Sequence, residues 1–232
     1  VPTSKPILLY AGVSKGINES RHLEIIDTAI AKGSIPPCHV IYRPHPWRGS
    51  LVPGEKNFFH LSLRHITIDP HMEDYYFRIT EKRVAGFELT DYNVTKKLLH
   101  LVDGVISPLS TLLLESIIFG KPVLMFSSNA EKGEGRRTVD SGIKLVHFRD
   151  FWGMKGIEMC HKESELPHYC KQLLLNSQDE AIRLGLKEHA SKFVIMDGPA
   201  YGERLARLAD ELTTSACTAT QRQLISASHL DR

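Results

Sequence analysis

Two short segments hold side chains whose types and spacing suit chemistry. In Ile106-Ser-Pro-Leu-Ser-Thr-Leu-Leu-Leu-Glu115 a strand-like run ends at Ser107, Pro108 breaks sheet pairing, and Ser110 stands where a helix would be capped. The first N–H groups of such a helix lack internal partners and carry the positive end of its dipole. With the hydroxyls of Ser107, Ser110 and Thr111 they make a place for a phosphate. Glu115 follows one helical turn after Thr111, and helical side chains lean toward the N-terminus, so its carboxylate can reach a ligand at the mouth. A carboxylate that accepts two hydrogen bonds suits a ribose diol. The plainer reading is that Ser110 only caps and Glu115 only pairs with a nearby Lys or Arg.

The second segment is Arg43-Pro-His-Pro-Trp-Arg48. Pro44 and Pro46 stop sheet pairing and stiffen the corner, so Arg43, His45 and Arg48 are presented at the end of a strand. Cations placed there can stabilise charge on a departing phosphate. The alternative is a solvated turn with surface arginines. Gly12-Val-Ser-Lys-Gly16 joins the first strand to its helix, and Gly12, Ser14 and Lys15 are its candidate contacts, although the Gly-x-Gly-x-x-Gly spacing is lacking.

Other chemistry-bearing runs are weaker. Asp69-Pro-His71 with Glu73 and Asp74 reads as a solvated acidic loop, and no metal site is expected. Glu131-Lys-Gly-Glu-Gly-Arg-Arg137 either orders over a ligand or is a surface excursion. The four cysteines are scattered without a Cys-x-x-Cys pair, which favours free thiols in a reducing compartment. No Walker loop, metalloprotease motif, Ser–His–Asp order or nucleic-acid module is present.

The elements that must position these residues alternate. Strand runs are expected at Ile7–Tyr10, His39–Tyr42, Ile66–Ile68, Gly104–Ile106 and Val123–Phe126, with a last one at Lys144–His147. Helical patterns lie between them: one that Ser20 can cap, running to about Lys32 with Gly33 as its stop, a helix opened by Asp91, and Thr111 to Phe119. Further helices are expected near Glu165–Leu175, Asp179–Val194 and Tyr201–Leu212. Strand and helix in alternation predict an α/β fold, a Rossmann-like open parallel sheet of about six strands with helices on both faces. The long connections from Trp47 to Arg64 and from Ser127 to Gly142 lie beyond strand ends, on the face where such sheets bind ligands. A linker over 1–5, one domain over 6–212 and a loosely held Ser/Thr-rich tail over 213–232 complete the expected organisation.

Composition sets bounds. An apolar share of 42% and a charged share of 24% are those of a globular protein with a full core. The formal net charge of +2 offers no broad footprint for nucleic acid, so any basic site is local. No run is long enough to span a membrane as a helix, and no leader is visible. A cytoplasmic location, at most peripheral to the inner face of a membrane, is the expectation.

The run Ile-Ser-Pro-Leu-Ser-Thr-Leu-Leu-Leu-Glu-Ser-Ile-Ile-Phe-Gly-Lys-Pro-Val-Leu resembles the C-terminal, donor-binding half of GT-B glycosyltransferases. More narrowly, it is similar to the capsule and cell-wall sialyl-, Kdo- and CDP-glycerol-type transferases, which share a His-Pro and a Ser-Ser/Thr motif. Here those motifs would be His45-Pro46 and Ser110-Thr111. The resemblance implies one half of a GT-B fold and metal-independent transfer of a sugar from a nucleotide-activated donor, CMP- or CDP-linked by preference, to a glycan acceptor. It implies no cofactor beyond that donor, and catalytic roles for His45, Arg43 and Arg48. The nucleotide would be held by Gly12, Ser14, Lys15, Ser107, Ser110, Thr111 and Glu115. An N-terminal acceptor domain would be the partner that completes the enzyme, and the chain alone would catalyse little. UDP-sugar 2-epimerases share the half-fold but carry Gly-Gly where this chain has Pro-Leu-Ser-Thr. Such an isomerase, or a non-catalytic nucleotide- or glycan-binding module, is the alternative.

Overall fold

Five of the six apolar runs become strands. A computed structural model describes residues 5–14, 17–48, 50–81, 91–126, 144–145, 148–194 and 198–213. The strands are β1 (Ile7–Ala11), β2 (His39–Arg43), β3 (Ile66–Ile68), β4 (Gly104–Ser107), β5 (Val123–Phe126) and β6 (Ile157–Cys160). They form one sheet in the order β3-β2-β1-β4-β5-β6, with every pairing parallel. The helices are α1 (Glu19–Ala31), α2 (Pro70–Thr80), α3 (Tyr92–Leu101), α4 (Thr111–Ile118), α5 (Leu166–Gln178) and α6 (Glu180–Ala190).

Parallel strands covered on both faces must be apolar on both, and successive side chains on a strand alternate between two cores. Leu8, Tyr10, Val40, Tyr42, Ile106 and Leu124 pack on one side with Leu23 and Ile26 of α1 and Leu173 of α5. Leu9, Val105, Val123 and Met125 pack on the other with Leu98 of α3, Leu113 of α4 and Leu186 of α6. This is the α/β architecture that the alternating pattern implies.

Three expectations are corrected. The sixth strand is Ile157–Cys160, while Lys144 and Leu145, the described part of the expected last strand, lie in a turn and a bend. The run Ile-Glu-Met-Cys carries a charged residue at its centre because β6 is a sheet edge, and only its ends are buried. The stretch after β3 is helix α2 rather than an acidic loop: Asp69 Oδ1 accepts the His71 N–H at 3.0 Å, and Pro70 takes the first helical position, where its missing N–H costs nothing. Asn18, not Ser20, caps α1, its side chain accepting from Arg21 N at 3.1 Å.

Helix α4 stops as its sequence implies, at Gly120 with φ of 65°. A Cβ there would also stand 2.7 Å from the Arg183 carbonyl oxygen, so the glycine lets α4 and α6 approach closely. The chain divides into two compact units, residues 1–193 and 194–232. The second contains a helix over 201–213. Ser127–Gly142, Glu131–Arg137 and the tail beyond Thr213 fall outside the described residues.

Candidate functional site

Between β1 and β4 the strand order reverses, and the carboxyl ends of the two strands part to leave a crevice. Ser107, fully buried at the end of β4, donates its hydroxyl to the Ala11 carbonyl at the end of β1 across 2.9 Å. One hydroxyl has one proton, so the 2.9 Å contact between Ser107 and Ser110 must be donated by Ser110. Ser110 stands at the N-cap of α4 in extended conformation, yet makes no capping bond, because its side chain turns to Ser107. The hydroxyl left to meet a ligand is that of Thr111, which is exposed and makes no hydrogen bond to a described residue.

A cavity of about 300 Å³ opens over this end of α4. Ser110, Thr111, Leu112 and Glu115 form one wall, Ala11 and Gly12 the floor, and the corner from Arg43 to Trp47 the opposite wall. The N-terminal turn of α3 adds Tyr92 and Thr95. Trp47 and Tyr92 stand at the rim, 52% and 80% exposed. Trp47 comes with the Arg43–Arg48 segment, but Tyr92 and Thr95 are marked by no motif; bringing α3 to this mouth requires the sheet order.

Each wall residue has a definite state. Glu115 is half-buried and forms no hydrogen bond or ion pair with any described residue, so the plainer reading of it as a salt-bridge partner fails among them. Burial pushes its carboxyl above the usual range, and the charge of Arg43 partly opposes the rise. Arg43 is 5% exposed and already paired: its guanidinium meets Asp69 and donates to Thr95 Oγ1 at 3.0 Å. It edges the cavity as a held charge. His45 accepts the Trp47 N–H on Nδ1 at 3.0 Å, which puts the proton of the neutral imidazole on Nε2. Burial, then Arg48, holds its pKa below 6.5, so His45 is a neutral donor near pH 7.

The other expected contacts separate from this group. Ser14 is half-buried and does not line the cavity, and Lys15 lies outside the described residues. Gly12 does line it. Its N–H donates to the Arg43 carbonyl at 2.9 Å, and a Cβ on it would stand 2.5 Å from Glu19 Oε2. Arg48 turns away from the cavity and is 2% exposed. It pairs with Glu19 at 2.7 Å and with Glu55, and donates to the carbonyls of Val13 at 3.1 Å and Ile17 at 3.2 Å. A buried guanidinium between two buried carboxylates cannot meet a substrate phosphate, so the direct charge-stabilising role expected of Arg48 gives way to a structural one.

Glu19 is the unusual member of that cluster. It is fully buried and also accepts from Val13 N and the Tyr42 hydroxyl, each at 2.7 Å. Burial pushes its carboxyl from 4.5 up to about 7, against the pull of Arg48 and the hydrogen bonds from Val13 and Tyr42. The folded state therefore binds more protons than the unfolded chain between about pH 4.5 and 7, and Glu19 costs stability as pH rises through that window. Glu19→Gln keeps the shape and removes the titration. The difference in Tm between variant and wild type should grow in the variant's favour from pH 5 to 7.5 and then level off. A difference that stays constant with pH would assign the titration elsewhere.

Among the described residues no group of three His, Cys, Asp or Glu is placed to hold a metal. No helix among them is long and apolar enough to cross a membrane.

The six-stranded, all-parallel open sheet with helices on both faces is Rossmann-like and matches one half of a GT-B fold. Among solved structures the chain is similar to the crystal structure of CalG4, the calicheamicin glycosyltransferase, with a TM-score of 0.50 and 13% sequence identity. The match covers 92% of this chain and 42% of that one, so the likeness is of fold and spans less than half the neighbour's length. No protein-family model matches the sequence, and no curated protein matches it.

Proposed function

We propose that this chain is the donor-binding half of a glycosyltransferase, taking a sugar from a nucleotide-activated donor and passing it to a glycan acceptor. The observation that carries the reading is Glu115, which pairs with no described residue, in a cavity at the sheet's switch point, one turn from the amino end of α4. A phosphate at that end meets the free N–H groups of the first turn, the Thr111 hydroxyl and the His45 Nε2–H. Glu115 takes the ribose hydroxyls. In transfer, the bond from the anomeric carbon to the phosphate oxygen breaks, and the phosphate leaves with the electron pair. The acceptor oxygen bonds the carbon and gives its proton to a base. That base and the acceptor site belong to a partner domain, the half that a GT-B cleft requires and this sheet does not supply. The dipole of α4 and the His45 donor hold the departing charge without a metal. The His-Pro and Ser-Thr pair favours a CMP- or CDP-linked donor of the capsule and cell-wall type, and the chain works in the cytoplasm.

Calorimetry with CMP, CDP, UMP, UDP and GDP tests the reading directly, and saturable binding of at least one is expected. His45→Ala should weaken CMP about tenfold while leaving cytidine unchanged, since a hydrogen bond to a charged group is worth roughly 1.5–3 kcal/mol. Equal losses for nucleotide and nucleoside would remove His45 from the phosphate. Binding of no nucleotide would end the donor-domain reading.

A further inference from the structure

Two helices, α1 and α4, start directly from the two strands that flank the switch point, and among the described residues only α4 has a first turn that no side chain caps. At α1 the protein fills the place with its own acids. Glu55 Oε1 accepts the Glu19 N–H at 3.0 Å, Asn18 Oδ1 accepts the Arg21 N–H at 3.1 Å, and Glu19 Oε1 accepts the Val13 N–H at 2.7 Å. The segment carrying Glu55 lies over this end: Lys56 N donates to Ser20 Oγ at 2.9 Å, and Val52 N to Glu55 Oε2 at 2.9 Å. Glu19 and Ser20 are buried as a result. The acids face a single cation, Arg48, so with both ionised the cluster carries one net negative charge. A phosphate approaching the amino end of α1 would meet the Glu19 and Arg21 amides already taken by Glu55 and Asn18 and, among the described residues, acids that outnumber their cation.

We propose that Glu19 and Glu55 are specificity determinants that exclude a second phosphate, so that the donor carries one phosphate between nucleoside and sugar. The inference rests on the nucleotide reading above. It adds that the anion-binding capacity of the crevice is that of α4 with His45, in a cavity of about 300 Å³ at the lower end of ligand-site sizes. The long β2–β3 connection, which the fold does not need, acts here as the cover that closes α1.

Titration calorimetry at pH 8 and low salt, comparing CMP with CDP and UMP with UDP, tests it. Each monophosphate should bind at least as tightly as its diphosphate. Glu19→Gln leaves Arg48 paired with Glu55 and removes the net negative charge. It should raise the diphosphate-to-monophosphate affinity ratio about threefold or more, a readout that a purely structural role of Glu19 would not move. A wild-type diphosphate that binds threefold or more tightly than its monophosphate overturns the exclusion and leaves the nucleotide reading standing. Binding by neither class overturns both.

Discussion

Arg48→Ala is expected to cost about 3–5 kcal/mol of folding stability, the range for breaking a buried ion pair by removing one partner. The loss follows from what remains behind. Glu19 and Glu55 would face each other in the interior without a cation, and the carbonyls of Val13 and Ile17 would lose the donors that hold the β1–α1 turn. Both acids would have to take protons in the fold, and stability would then fall further as pH rises. Urea denaturation followed by Trp fluorescence measures the effect. Against a total of roughly 5–15 kcal/mol for a domain, it is large enough to leave the variant partly unfolded. A second variant separates lost charge balance from lost packing. Arg48→Met combined with Glu19→Gln and Glu55→Gln leaves no buried charge in this cluster, and should recover most of the midpoint that Arg48→Ala loses. A midpoint for Arg48→Ala within about 1 kcal/mol of wild type would mean that the cluster holds the turn far less firmly than its burial implies.

How far the sequence alone leads is visible in the same residues. The strands were legible because parallel strands covered on both faces need unbroken apolar runs, and Ile7–Tyr10 or Val123–Phe126 can hardly be anything else. The β4–α4 junction was legible for a similar local reason, since Ser107 to Glu115 lie within one strand end and two helical turns. Arg43 and Arg48 show where local reading stops. Their positions at the corner are fixed by Pro44 and Pro46, but their roles are fixed by Asp69, Glu19 and Glu55, which only the sheet brings to them. An arginine bound by its own protein and one waiting for a phosphate look alike in one dimension. Glu55 carried no signal at all, being one acid in a polar connection. Helix α2 did carry one: Asp69-Pro70 is a cap followed by a first-turn proline. The cluster of His71, Glu73 and Asp74 instead suggested a solvated loop. Edge strand β6 was hidden because a strand buried at its ends alone has no periodicity to find.

Glu115→Ala is expected to weaken the best nucleotide ligand by a factor of about ten to a hundred. Two hydrogen bonds from ribose hydroxyls to a carboxylate are worth roughly 1.5–3 kcal/mol together when each is discounted for the water it displaces. The side chain is suited to this task because nothing described competes for it, and burial has already removed part of its hydration. Its raised pKa sets a pH signature. A carboxylate accepts both hydroxyl protons and a carboxylic acid only one, so affinity should fall as pH drops through the raised pKa of Glu115. Glu115→Gln should bind weakly at every pH and lose that dependence. The sharper measurement is a pair of ligands rather than a pair of proteins. Wild type should prefer a ribonucleotide to its 2′-deoxy counterpart by about tenfold, and Glu115→Ala should bind the two alike. If discrimination between ribose and deoxyribose survives the loss of Glu115, another group reads the sugar. The unpaired acid would then have to face the transferred sugar instead, where a change of donor sugar at constant nucleotide would expose it.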